Sequence, residues 1–315
     1  MQIAREFSWS YSRHRCFNFC RLAYRLRYMD SWEGWDKFAT PDSKILYELK
    51  NLKTLEAWPD QIFRDTVRDV FMKSRNGFGK FTPAEIRKTA LKKLRSEWSG
   101  MLSGECKDDP KKLNLTEFYY SDASARRNFD VQQIADTLIV RIDKFAASPV
   151  FAEIAEMSYL NYRDFRRPDY FELDGIKIWT APDFIYSRKD GTLNILNFCN
   201  GVPGDNASWD LRAAICVFFA LRKFNIPEDK INCHNLFFRN VDEDILCVYS
   251  YRNLCEVRRI IYVSAVDMLD FESGTQYEID STEHKSPDKC ATCEFRKVCY
   301  GFAGAEGLPP SKSSL

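Results

Sequence analysis

Three cysteines set at Cys290-x2-Cys293-x5-Cys299 constrain this 315-residue chain more than any other stretch of it. Zinc and iron-sulfur clusters both take four protein ligands as a rule, so three thiols this close ask for a fourth from elsewhere. Cys16 and Cys20 stand at the opposite end of the chain. A site shared with either would close a very long loop and tie the two ends of the fold together. The spacing suits a four-iron, four-sulfur cluster and zinc alike. The chain holds 11 cysteines in all. Its opening, MQIAREFSWSYSRHR, carries no apolar leader, and nowhere do about 18 apolar residues run together. A cytoplasmic chain without membrane contact is therefore expected, and in that compartment thiols serve as ligands more readily than as disulfides.

Hydrophobic residues make up 45% of the chain and aromatics 15%, enough to bury a large core and unlike a disordered sequence. Apolar positions three or four apart predict helices over 10–28, 59–75, 82–102 and 129–146, with Thr82, Pro83 and Glu85 forming a helix start. Residues 103–116 read as an exposed loop that would tolerate cutting. The pattern changes at Arg166-Arg167-Pro168. Short strands are expected at 171–179, 184–187 and 193–198, with Asp174-Gly175 and Asp190-Gly191 as hairpin dipeptides. A helix over 208–223, strands at 234–239 and 245–249, and a helix over 254–271 follow. This order predicts a mixed α/β fold: one domain over 1–301, with a helical part at about 29–165, a core at about 166–275 and thiol-bearing ends at 10–28 and 286–301. Residues 302–315 are small, Pro- and Ser-rich, and expected to be disordered.

Net charge is +1, from 46 Lys plus Arg against 45 Asp plus Glu, so a polyanion-binding surface would have to be local. Residues 1–28 are such a place. They hold six arginines, Arg13 and Arg15 among them, against the single acid Glu6, interleaved with aromatics. That mixture suits phosphate contact and base stacking, and it equally suits an amphipathic helix with buried aromatics and solvated arginines. His14, His234 and His284 lie too far apart in pattern to form a metal trio.

The N-terminal Ser8-x-Ser10 before a segment bearing Cys20, the C-terminal cysteine triad, Trp32-Glu33-Gly34-Trp35, Leu46-Tyr47-x-Leu49-Lys50, Trp58 before a helix, and Pro182-Asp183 together resemble the RecB-type PD-(D/E)XK nucleases that carry an iron-sulfur cluster. The CRISPR-associated exonuclease and the AddB nuclease domain belong to that group. The resemblance is scattered but spans most of the chain. It implies a restriction-endonuclease-like core, a short mixed sheet flanked by helices, with a large helical insertion. It also implies a four-iron cluster on Cys20, Cys290, Cys293 and Cys299, with zinc as the alternative.

In that superfamily two acids and a lysine surround a divalent metal, because Mg²⁺ is a hard ion that prefers carboxylate oxygen. The first acid matches Asp183. The following strand should read acid, one residue, lysine, and here it reads Asn197-Phe198-Cys199, with Gly201 after it in the family's glycine position. The family histidine falls at Arg64, and the family Gln-x3-Tyr falls at Arg212 and Cys216. Asn adds no charge to a metal, and a thiol cannot replace an ammonium. One preorganised electrostatic contact is worth roughly 3–4 kcal/mol of transition-state stabilisation, so losing two should silence hydrolysis.

The resemblance thus implies an inactive nuclease-like protein that binds DNA or RNA, or docks an active helicase or nuclease, in DNA repair or defence against phage. Two alternatives stand beside it. One is a Mg²⁺- or Mn²⁺-dependent DNase whose acids have migrated, for instance to Glu172 or Asp174. The other is a purely structural subunit of a larger assembly. Arginine at positions 64 and 212 adds positive charge where phosphate would lie, which favours retained binding.

Overall fold

The computed structural model describes residues 6–121, 129–156, 161–165, 167–200, 203, 210–238, 243–274 and 287–299. Strand β1 (Trp9–Ser10) leads directly into helix α1 (Tyr11–Phe19), which Ser10 caps by accepting the Arg13 N–H at 3.2 Å. The single helix expected over 10–28 is broken at Cys20. This residue is extended (φ −166°), and its sulfur accepts the Ala23 N–H at the start of α2 (Arg21–Arg25), which runs into one π turn over Leu26–Asp30. No proline or glycine marks the break, so the apolar periodicity carries straight through it.

A helical layer follows: α3 (Pro41–Lys50), α4 (Ala57–Arg75), α5 (Pro83–Ser103), α6 (Thr116–Tyr120), α7 (Val131–Ala147) and α8 (Pro149–Ala155). Helices α4, α5 and α7 lie where periodicity predicts them. The loop expected over 103–116 is only partly one. Leu113 and Leu115 are buried, and Lys53 exchanges backbone hydrogen bonds with Asn114 and Thr116, so the end of that segment is stitched into the fold. Apolar residues two apart, not the polar ones between them, decide this stretch.

Strands β2 (Asp169–Leu173) and β3 (Ile176–Thr180) form a hairpin turned at Asp174 (φ 53°) and Gly175 (φ 77°), so the 171–179 stretch is two strands and not one. With β1 they make a small mixed sheet in the order β1-β3-β2. A second mixed sheet has the order β4 (Phe184–Ser187), β5 (Leu193–Cys199), β6 (Ile231–Phe237), β7 (Glu243–Cys247). Strands β5 and β6 are parallel, joined by the crossover helix α9 (Leu211–Phe224). Helices α10 (Tyr251–Ser273) and α11 (Pro287–Thr292) complete the described chain. Arg166, Gly201, Ser208, Arg239, His284 and the 302–315 tail lie outside the described residues.

Alternation along the strands divides the core in two. Ile185, Leu193, Ile195, Ile231 and Cys233 pack with α1, α9 and α10, while Phe184, Tyr186, Leu196, Phe198 and Leu236 pack with α4, α5 and α7. The second sheet is therefore covered on both faces, an α/β/α arrangement, and its central strand β5 is buried along its whole length. Among the described residues no helix is long and apolar enough to cross a membrane.

Candidate functional site

Only Ala181, Pro182 and Asp183 separate β3 from β4, so Asp183 sits where the chain passes from one sheet to the other, beside the C-terminal end of β5. Its backbone N–H continues the ladder to the Leu196 carbonyl at 2.9 Å. Its side chain is 1% exposed, and Oδ2 accepts the Phe198 N–H at 2.7 Å. Oδ1 accepts a hydrogen bond from the Arg167 guanidinium, and Arg212 stands 3.9 Å from Oδ2. Arg64, on α4, approaches the same carboxylate from the helical side. The five positions that the resemblance marks as a degenerate site, Asp183, Asn197, Cys199, Arg64 and Arg212, are thus brought together. The direct partner, Arg167, is one that sequence reading treats only as a boundary marker.

Three arginines, Arg64, Arg167 and Arg212, meet three carboxylates here, Asp183, Asp65 and Asp210. Burial is the largest influence on Arg212 and works to lower it, but Asp183, Cys199, Cys216 and Asp210 together outweigh it, so this guanidinium is held more firmly protonated than usual. Arg64 is the opposite case. Burial pushes it down, and Arg212 and Arg167 add to the effect against the pull of Asp183. Among the described residues Arg64 makes no hydrogen bond and no close ion pair, so Asp183 and Asp65 act on this half-buried cation only from a distance. Tyr11 of α1 lies within electrostatic reach of Arg212, Asp210 and Cys199, and Arg15 stands 5.9 Å from the Tyr11 ring. Exposed Arg15 thus stands on the α1 side of this group of residues. Arg13 is taken up in packing instead: it is 9% exposed, donates to the Ser8 carbonyl and lies 4.8 Å from the Tyr28 ring centroid.

Behind the arginines, Asn197 is fully buried in a neutral network. Its amide donates to Asn235 Oδ1 at 3.2 Å and faces the Cys233 sulfur, while Cys216 approaches its oxygen at 3.6 Å. Asn235 in turn donates to Asp210, whose other oxygen caps α9 through the Arg212 N–H at 2.7 Å. Burial pushes the Cys199 thiol up to about 11, which keeps it neutral and unreactive near pH 7. The carbonyl of Cys199 accepts from Arg141 at 3.3 Å, and Arg141 forms a buried ion pair with Asp60. Asp65, 3.7 Å from Arg167, and Asp210 are the other acids of this neighbourhood, and the two migration candidates lie elsewhere. Asp174 is paired with Arg258 at 2.6 Å, and Glu172 stands opposite Lys177, six residues up the strand from Asp183 or roughly 20 Å in extended chain. His14 bonds Ser264 at 2.7 Å and His234 bonds Asp244 at 2.8 Å, in separate parts of the fold.

The thiols at the two chain ends also meet. Cys16, Cys20, Cys293 and Cys299 pack against one apolar cluster made by Leu22, Ala23, Leu26, Leu46, Leu49 and Phe295. Cys290 follows on α11, its carbonyl accepting the Cys293 N–H at 3.2 Å. The sulfurs of Cys20 and Cys293 each accept a backbone N–H at 3.4 Å, from Ala23 and Phe295. For Cys293 burial dominates all the same and pushes the thiol up to about 12. This donor set suits an iron-sulfur cluster. Among the described residues no three His, Cys, Asp or Glu side chains are drawn in around the position of a single metal ion; in a four-iron cluster each thiolate binds a different iron. Around the thiols, Arg27 pairs with Glu294, Tyr120 donates to the Glu294 carbonyl, and Lys297 donates to the Tyr119 carbonyl at 3.3 Å. Cys16 packs against the same apolar cluster as Cys20.

Comparisons with protein-family models and with curated proteins return no match to this chain.

Proposed function

We propose that this protein is a nuclease-like pseudoenzyme of the PD-(D/E)XK type that binds nucleic acid at the arginines grouped around Asp183 and does not hydrolyse it. The observation that carries the reading is Arg64, a half-buried guanidinium without a hydrogen bond or close ion pair among the described residues, flanked by Arg212 and Arg167. A phosphodiester would supply a close negative charge. A divalent metal would have to compete with Arg167 and Arg212, which already hold the Asp183 carboxylate and would repel a cation placed beside it. Cys20, Cys290, Cys293 and Cys299 would hold a four-iron cluster, whose part is to fasten the chain ends and not to act on substrate. DNA repair or phage defence beside an active helicase or nuclease is the setting that the reading implies.

Replacing Arg64 and Arg212 together by glutamine tests it. Each phosphate contact removed lowers the slope of log K against log salt by about 0.7–0.9. The double variant is expected to bind labelled DNA more weakly and with a shallower salt dependence, measured by fluorescence anisotropy between low and physiological salt. Unchanged affinity and slope would favour the purely structural subunit.

A further inference from the structure

The segment between α2 and α3 carries an aromatic surface that the arginine group does not use. Trp35 is 48% exposed and Phe38 83% exposed, in a chain whose other large aromatics are mostly core. Trp32 meets Trp35 edge to face at 5.1 Å between ring centroids, and Trp35 meets Tyr47 of α3 at 5.7 Å. Cations are set among the rings: Lys50 lies 4.7 Å from the Tyr47 centroid and 6.0 Å from Trp35, and Lys37 lies 4.6 Å from Phe38.

The surface is built, not loose. Glu33 holds a left-handed backbone (φ 60°), a conformation that costs a non-glycine residue energy and persists only where neighbours fix it. Gly34 packs so closely on the Ser43 carbonyl and Tyr47 that a side chain there has no room. The Ser43 hydroxyl donates to the Asp30 carbonyl at 2.9 Å, and the Lys50 ammonium donates to Ser31 at 3.0 Å. Of the acids nearby, Asp30 pairs with Arg25 at 3.3 Å, while Asp36 stays beside the platform, accepting the Phe38 N–H at 2.8 Å, and Glu33 lies in the same segment. Burial, with Arg27, Arg13 and Lys111 adding to it, lowers Lys50 to about 8, so its nearest electrostatic influences are cationic.

We infer that Trp35 and Phe38 form a stacking platform for the bases of single-stranded nucleic acid, with Lys50 and Lys37 taking the phosphates. Rings offer every base a face, and interleaved ammonium groups track the backbone, which is how sequence-tolerant single-strand sites are made. A duplex keeps its bases stacked on each other and gains nothing from exposed rings. The inference rests on the nucleic-acid reading above and names its strand class.

Anisotropy titrations with a short labelled DNA strand, the same sequence as RNA, and its DNA duplex separate the two readings. Trp35→Ala with Phe38→Ala is expected to weaken single-strand binding by about 5- to 150-fold for each base unstacked, with duplex binding unchanged. Phe38 is almost fully exposed, so Phe38→Ala alone serves as a variant that leaves the fold intact and should carry part of the loss. Single-strand affinity equal to wild type in both variants overturns the platform, as a patch serving a protein partner would require. Loss confined to Arg64→Gln with Arg212→Gln upholds the arginine group and overturns the platform; loss confined to the aromatic variants does the reverse. No binding to any strand by the unaltered protein overturns both.

Discussion

Asp183→Ala is expected to cost about 2–3 kcal/mol of folding stability, below the roughly 3–5 of a fully buried broken pair, because the arginines that lose this buried carboxylate still reach solvent. Arg167 loses its hydrogen-bonded partner, Arg212 its ion pair at 3.9 Å, and the Phe198 N–H its acceptor at the end of the central strand. An acid kept for a metal behaves in the opposite way. In a metal-free protein it crowds other carboxylates, and removing it relieves repulsion. Urea unfolding of wild type and Asp183→Ala, with and without millimolar Mg²⁺, reads both sides. The account predicts a large loss in the variant and no stabilisation of wild type by Mg²⁺, since a ligand that binds only the native state would raise stability in proportion to its occupancy. A stabilised variant, or a Mg²⁺-dependent rise in the wild-type midpoint, would place a working metal site at Asp183.

Cys293→Ser is expected to have the other large effect. The C-terminal segment 287–299 is anchored by Phe295, by the Arg27–Glu294 pair and by contacts of Tyr119 and Tyr120, a small interface for a segment so far along the chain from Cys20. The proposed cluster supplies the covalent part of that anchor. Without it the entropy of closing a loop from residue 20 to residue 293 is no longer offset, and α3, whose Leu46 and Leu49 pack on the same pocket, loses one wall. Iron analysis after anaerobic purification should fall from about four irons per chain to near none. Limited proteolysis should cut the variant after α10 while wild type resists. Wild type without iron, and Cys293→Ser as resistant as wild type, would reduce these cysteines to ordinary buried thiols. Zinc in place of iron would keep the staple and change its chemistry.

Part of the element order was legible because its signals are local, while β1, α3, α6 and α8 were not read. Asp174-Gly175 turns a hairpin where the dipeptide predicts it, and the α4, α5 and α7 periodicities bury the faces they mark. The pairing of Asp183 with the end of β5 was legible only through resemblance, since nothing in the spacing of residues 183 and 197 places them side by side. Arg167 was not legible at all. Its role comes from a loop that crosses the sheet end, and an arginine before a proline carries no signal of what it will meet. The break at Cys20 escaped for a related reason: the Cys20 sulfur caps α2 in place of the serine or aspartate by which such starts are recognised. Arg13 and Arg15 show the limit of composition, because two residues on one helix divide between packing and solvent by the face they occupy.

The most direct test is a binding and cleavage assay on the same samples, with end-labelled single-stranded and duplex DNA, anaerobically purified protein, and Mg²⁺ or Mn²⁺. Labelled strands that shift into complex and are recovered intact are what the arginine group predicts. Strands degraded by wild type and spared by Asp183→Ala would contradict it.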